Sequence, residues 1–191
     1  MPRRSAQREG GGKRLFIAVD VDEATRAQIG RISTGLRDAM GAHAKASWVR
    51  PDRMHLTLHF FGNADGALEE RVRGALAHPI DQPAFDLSFE GLGVFPERGS
   101  PRVLWLGVTA GLSELRLIHG VVGQTHEPFT PHLTLARLRG RIPRAKVAEI
   151  VDIPASAGPS RIDRVTLYES RLSPAGPTYI PLAEALLARS G

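Results

Sequence analysis

The sequence has 191 residues, of which 42% are hydrophobic and 24% are charged, as is usual for a soluble globular protein. It contains no cysteine, which excludes disulfides, thiolate nucleophiles and cysteine-bound metal ions, and no apolar run reaches the ~18 residues that a membrane helix needs. Of the formal net charge of +5, a net +4 lies in residues 1–14, so the basic composition alone does not indicate a nucleic-acid-binding domain.

The first segment, MPRRSAQREGGGKR, covers residues 1–14 and combines arginines with a Gly-Gly-Gly hinge, which predicts a flexible basic tail. The apolar run LFIAV that follows is interrupted at once by acidic residues, so it does not form the apolar core of a signal peptide. We therefore expect a cytoplasmic protein in which residues 15–191 form a single bilobal domain.

The first half of this domain alternates between strand and helix patterns. RLFIAVDV predicts a strand, and DEATRAQIGRISTGLRDAM keeps apolar residues at helical spacing after an aspartate cap. WVRPDRMHLTLHFFG contains a Pro-Asp turn and then strict alternation, which predicts a second strand. LEERVRGALAH predicts a helix that Pro79 ends, and AFDLSFEGLGVF predicts a third strand.

The second half repeats this order. RVLWLGVTAGLSELRLIHGVVGQ predicts a strand and a helix, EPFTPHLTLAR a strand, IPRAKVAEIV a short helix, and SRIDRVTLYESRL a third strand. Leu15 aligns with Leu104, whereas the two His-Leu-Thr-Leu segments lie 77 residues apart, so the second copy has the shorter first helix and loop. The sequence therefore predicts an α+β fold built by duplication of a β-α-β-α-β unit.

The repeated His-Leu-Thr-Leu segments are the candidate functional feature. Alternate side chains of a strand share a face, so His55 and Thr57 lie together on one strand and His132 and Thr134 on the other. The opposite face of the first strand is expected to be its core face, with Leu56, Leu58 and Phe60. A pseudo-two-fold relation between the halves would bring the two histidine-threonine pairs face to face across a groove.

Two facing imidazoles suit a reaction that needs a base on one side and an acid on the other, because histidine titrates near neutral pH. In-line displacement at a phosphodiester has this requirement, and threonine hydroxyls can donate to the charged non-bridging oxygens. A zinc site is the alternative for strand histidines, but neither segment supplies the third and fourth ligands that such a site requires. We therefore expect no metal and no cofactor.

The segments WVRPDRMHLTLHFFG and FTPHLTLAR, with RLFIAV, LWLGV and LYESRLSPAGPTY, resemble the two-histidine (2H) phosphoesterase superfamily. Within it they resemble the RNA 2′,3′-cyclic phosphodiesterases, which are also called 2′-5′ RNA ligases, from about Arg14 to Leu186. The resemblance implies two pseudo-symmetric lobes whose antiparallel sheets, flanked by helices, surround a central cleft. The chain departs from the family in the short helix of its second half.

The resemblance also implies that the protein hydrolyses a terminal 2′,3′-cyclic phosphate on RNA to a 2′-phosphate without metal. His55 would be the proton donor to the leaving oxygen and His132 the proton acceptor for water, although pseudo-symmetry allows these two roles to be exchanged. Thr57 and Thr134 would bind the phosphate. Arg137 would contact it from the cleft rim, although strict alternation places this side chain on the leucine face.

Two other functions remain open at the level of sequence. One is 2′-5′ RNA ligation, the reverse reaction, in which an RNA 5′-hydroxyl replaces water. The other is a non-catalytic module that binds RNA ends. In each case the expected partner is RNA, and we expect a monomer that does not bind membranes. The histidines outside the repeated motif are expected to be solvated or without a role, namely His43, His59, His78, His119 and His126.

Overall fold

The computed structural model describes residues 12–41, 45–123, 128–140, 142–174 and 176–188. Most of the predicted tail, together with His43 and His126, lies outside these residues. The first strand begins at Lys13, two residues before the predicted domain boundary. Its first residues are held by side-chain contacts, because Lys13 donates to Glu69 at 2.9 Å and the Arg14 guanidinium lies 5.3 Å from the centre of the Phe60 ring.

The strands and helices follow the predicted order, with additional strands that include a 13-residue strand at the end of the described chain. The first half contains β1 (Lys13–Asp20), α1 (Glu23–Met40), β2 (Lys45–Trp48), β3 (His55–Ala64), α2 (Gly66–Ala75), β4 (Ile80–Pro83) and β5 (Phe85–Phe95). The second half contains β6 (Val103–Ala110), α3 (Leu112–Gly123), β7 (His132–Arg139), α4 (Arg144–Val151), β8 (Ser156–Ile162), β9 (Arg164–Ser173) and β10 (Gly176–Ala188).

Side-chain caps fix the starts of the first two helices. The carboxylate of Asp22 accepts a hydrogen bond from the backbone N–H of Thr25 at 2.7 Å, and Asp65 does the same for Leu68 at 2.8 Å. Helix α3 has 12 residues and α1 has 18, so the prediction of a shorter first helix in the second half is confirmed. No described helix is both long and apolar enough to cross a membrane.

The strands form two five-stranded sheets, ordered β3-β1-β9-β10-β4 and β2-β7-β6-β5-β8. The predicted α+β architecture of two lobes is therefore present. The lobes do not coincide with the two sequence halves, because β9 of the second half pairs with β1 and β5 of the first half pairs with β6. Each sheet thus contains a triplet of matched order, β3-β1-β9 at one side of the first sheet and β7-β6-β5 at the centre of the second, with the histidine strand as its first member.

Bulges in β3 limit the predicted alternation of its side chains. The pairing of β1 with β3 passes over Leu58 and again over Phe61, so each of these residues is an extra residue in the ladder. Leu56 and Leu58 are buried, as predicted. Phe60 is 51% exposed and Phe61 packs against the core instead, so the predicted core position of Phe60 is wrong.

Candidate active site

One pocket lies between the two histidine strands and receives side chains from both lobes. His55 and Thr57 of β3 line it together with His132, Thr134 and Arg137 of β7. All five residues that the sequence predicted for the site therefore face the same cavity. Each HLTL strand pairs with the first strand of its own half, β3 with β1 and β7 with β6, and the two identical segments, 77 residues apart, present their polar faces to the same pocket.

The two histidines are held in the same way. In each, Nδ1 lies 2.8 Å from the backbone carbonyl oxygen of the residue two positions earlier, Arg53 for His55 and Thr130 for His132. A carbonyl oxygen only accepts, so Nδ1 carries the proton and donates it in both rings. A neutral ring held this way has Nε2 as an acceptor, and a protonated ring has Nε2–H as a donor.

Aromatic rings fix the orientation of both imidazoles. The Phe16 ring stacks on His55 with 4.9 Å between ring centroids, and Tyr179 meets the same imidazole edge-on at 5.0 Å. Phe95 meets His132 edge-on, also at 5.0 Å. Trp105, at the position in β6 that matches Phe16 in β1, lies 6.2 Å from His132.

Gly93 provides the space that the indole ring of Trp105 occupies. A Cβ atom built on Gly93 would overlap this ring, so the absence of a side chain allows the indole to lie flat against β5. The indole in turn packs beside Phe95 with 5.1 Å between centroids, close to His132. Sequence reasoning identified neither residue, because the requirement for glycine comes from a cross-strand neighbour.

Burial changes the acid-base properties of the first histidine. Desolvation lowers the pKa of His55, and the nearby Arg137 guanidinium lowers it further, although the Arg53 carbonyl and Asp20 act in the opposite direction. Asp20 also accepts a hydrogen bond from the Tyr168 hydroxyl at 2.6 Å. Burial and this carboxylate raise the pKa of Tyr168, so they favour the protonated hydroxyl that donates to Asp20.

A bulge explains why Arg137 reaches the pocket. The pairing of β6 with β7 joins Trp105 to Thr134 and Leu104 to Ala136, which leaves Leu135 as an extra residue. The alternation therefore shifts by one position, and Arg137 is exposed on the same face as Thr134. The expectation that alternation places Arg137 on the leucine face is wrong for this reason.

The pocket is positively charged. Arg50 and Arg53, which precede the first HLTL segment, line it together with Arg137, and no aspartate or glutamate is among the described residues of its wall. Arg50 is partly neutralised by Asp52, whose carboxylate lies 3.0 Å from its Nε. Anionic ligands are therefore favoured over neutral or cationic ones.

Comparison with known proteins identifies the family. Residues 15–173 match the family model of the 2′-5′ RNA ligase superfamily. The chain belongs to this superfamily. The predicted membership in the two-histidine phosphoesterases, and within them in the RNA 2′,3′-cyclic phosphodiesterases, is therefore confirmed.

Individual relatives of the superfamily cover nearly the whole chain. The RNA 2′,3′-cyclic phosphodiesterase of Methanothermobacter thermautotrophicus is 35% identical over 87% of this chain and 94% of its own length. The crystal structure of TT0787 from Thermus thermophilus superposes with a TM-score of 0.74 at 30% identity, covering 93% of this chain and 100% of that one. Escherichia coli LigT complexed with phosphate gives a TM-score of 0.72 at 28% identity, covering 94% of this chain and 99% of that one.

His119 has a position in this member of the 2′-5′ RNA ligase superfamily that the sequence did not reveal. It was expected to be solvated, but it lies on the inner face of α3 and is only 9% exposed. Its Nδ1 donates to the carbonyl oxygen of the bulged residue Leu58 at 2.8 Å, and its ring stacks on Phe129 with 4.3 Å between centroids. This hydrogen bond connects helix α3 to strand β3.

We expect His119→Ala to lower the free energy of unfolding by about 2–4 kcal/mol, because it leaves a cavity and removes the donor of a buried carbonyl. Chemical denaturation of the purified variant measures this loss. Leu117→Ala on the same helix is the matched control and should change stability by less than about 0.5 kcal/mol, because Leu117 is 60% exposed. Equal effects of the two changes would show that the His119 contacts do not stabilise the fold.

Proposed function

We propose that this protein is an RNA 2′,3′-cyclic phosphodiesterase that hydrolyses a terminal cyclic phosphate to a 2′-phosphate by acid-base catalysis with two histidines. The observation that carries the proposal is the arrangement of His55 and His132, which project from different lobes into one pocket with both Nδ1 atoms occupied by backbone carbonyls. Each ring therefore has Nε2 as the atom that exchanges a proton with a ligand in the cleft.

In the proposed reaction, a water molecule attacks phosphorus on one side and the bond from phosphorus to the ribose 3′ oxygen breaks on the other. Nε2 of neutral His132 accepts the proton of the attacking water. Nε2–H of protonated His55 donates a proton to the departing 3′ oxygen, which leaves as a hydroxyl. The two histidines exchange protonation states in one turnover, and solvent restores them.

The remaining pocket residues suit the charge that develops on phosphorus. Thr57 and Thr134 carry hydroxyls on the same strand faces as the histidines, and they are the proposed donors to the non-bridging oxygens. Arg137 supplies a permanent positive charge beside them. The same charge also favours binding of the product, whose 2′-phosphate is an anion.

The relatives support this choice of substrate. The similar proteins of Methanothermobacter thermautotrophicus and Thermotoga maritima, the latter 32% identical over 183 residues, are RNA 2′,3′-cyclic phosphodiesterases. Escherichia coli LigT has been crystallised with 3′-AMP, and that structure superposes on this chain with a TM-score of 0.73. Water at ~55 M favours hydrolysis over the reverse ligation unless a second RNA is held in place.

The decisive experiment is product mapping with an RNA that ends in a 2′,3′-cyclic phosphate, carried out with EDTA present. We expect complete conversion to the 2′-phosphate with a free 3′-hydroxyl, because none of the proposed steps uses a metal ion. A 3′-phosphate product would mean that the other ester bond breaks. Tight binding without conversion would favour the non-catalytic module, and a 2′-5′ linkage formed with a 5′-hydroxyl RNA would favour ligation.

A further inference from the structure

The bulge at Leu135 has an effect beyond Arg137. Arg139 follows two residues later on β7, and its side chain therefore lies on the same face as that of Arg137. Burial supports this placement, because Leu138 between the two arginines is buried whereas both arginines are exposed. The face that carries the histidine and threonine of β7 thus continues into two arginines.

The neighbouring edge strand β2 adds a third positive charge. Ser47 pairs with Arg137 and lines the pocket, and Lys45 pairs with Arg139. Lys45 is exposed and lies two residues from Ser47, so it shares the face of the pocket. We call Lys45, Ser47, Arg137 and Arg139 the β2–β7 basic stripe. It begins at the phosphate pocket and runs outward along the edge of the second sheet.

The charges of this stripe are not neutralised within the described part of the protein. None of its three cations forms an ion pair there, whereas Arg50 on the pocket rim pairs with Asp52. Like charges directly opposite each other on paired strands destabilise the pairing, and Lys45 and Arg139 are such a pair. Folding alone gives no reason for this arrangement, whereas an anionic ligand would remove the repulsion.

We propose that the β2–β7 basic stripe binds the backbone phosphates of the nucleotides that precede the cyclic phosphate, so that the protein prefers oligonucleotides over single cyclic nucleotides. This inference rests on the proposed function. An RNA that ends in a cyclic phosphate continues only from the 5′ side of its last nucleotide. Two residues of a strand span ~7 Å, about one nucleotide of extended backbone, so Arg137 and the Lys45–Arg139 pair can contact successive phosphates.

The test compares the wild-type protein with the double variant Lys45→Gln, Arg139→Gln on two substrates, a cyclic mononucleotide and a hexanucleotide with a cyclic phosphate end. We expect the ratio of kcat/KM for the hexanucleotide to that for the mononucleotide to fall about tenfold in the variant. The salt dependence of hexanucleotide kcat/KM should also weaken, with a slope smaller by about 1 on logarithmic axes. An unchanged ratio and slope would overturn the proposal.

Two controls separate RNA binding from other effects. The variant Arg31→Gln, Arg116→Gln removes the same net charge from exposed positions on α1 and α3, and its substrate ratio should equal that of the wild type. The stripe variant should be at least as stable as the wild type, because it removes a repulsive cross-strand pair. A large loss of stability, or an equal fall in the ratio for the control variant, would also contradict the proposal.

The outcome is informative even if no substrate is hydrolysed. In that case the proposed function fails, and the stripe is tested by fluorescence anisotropy with a labelled hexanucleotide that ends in a 3′-phosphate. We expect the stripe variant to bind this hexanucleotide more weakly than the wild type and the control variant do. The difference in affinity should become smaller at high salt. Equal affinities for all three proteins would overturn the proposal independently of catalysis.

Discussion

His55→Ala and His132→Ala are each expected to lower kcat for cyclic-phosphate RNA by about 10²–10⁴-fold, since positioned acids and bases contribute that much to proton transfer. Steady-state kinetics on purified variants measure the loss. His78→Ala is the matched control, because His78 is an exposed histidine in the turn between α2 and β4. If either site variant keeps wild-type kcat, the two-histidine mechanism is wrong.

A substrate with a good leaving group separates the acid from the base. The leaving group of a para-nitrophenyl phosphodiester is a stable phenolate, which needs little protonation. Loss of the acid therefore lowers the rate much less than with a ribose leaving group. We expect His55→Ala to recover most of its activity on this ester and His132→Ala to remain impaired. The opposite result would exchange the two roles and leave the pair intact.

The pH dependence of kcat/KM tests the lowered pKa of His55. Because burial and Arg137 favour its neutral form, the pKa of His55 in the free protein lies below the usual value for histidine. A bell-shaped profile should have one limb at the pKa that a nuclear magnetic resonance titration assigns to His55. The two limbs belong to the pair, so their order does not by itself assign acid and base.

Thr57→Val and Thr134→Val are expected to lower kcat by about 10²–10³-fold each, the usual effect of removing one donor to a developing charge. Valine keeps the shape and β-branching of threonine, so the strands should be unaffected, and thermal unfolding checks this. Thr→Ser at each position is the matched control, because it retains the hydroxyl and should retain most activity. Full activity of both valine variants would exclude the hydroxyls as phosphate donors.

The sequence predicts the site better than the fold around it. The alternation of His55, Leu56 and Thr57 places the polar side chains on one face, and the second HLTL segment does the same, because a strand has a fixed period of two. The duplicated order of strands and helices follows from local patterns of the same kind. These features depend on neighbours along the chain, which the sequence states directly.

Features that depend on contacts between distant residues escape this reasoning. The bulges at Leu58, Phe61 and Leu135 arise where a strand meets its partner, so strict alternation wrongly places Phe60 in the core, and it places Arg137 on the leucine face, whereas the family resemblance placed Arg137 at the cleft. His119 has no local signal, because its partner Leu58 lies 61 residues away and becomes an acceptor only through a bulge.

Strand β5 of the first half lies in the second sheet, and β9 of the second half lies in the first. Neither half of the chain could therefore complete a sheet of this kind alone. The first half alone would end in β5 with no sheet of its own to join, and the pair formed by β1 and β3 would lack β9, the neighbour that β1 has on its other side. Two such chains could satisfy each other by a reciprocal swap, which is how domain-swapped homodimers form. One chain is thus organised like a covalently fused, swapped dimer, and the proposed catalytic pair takes one histidine from each half.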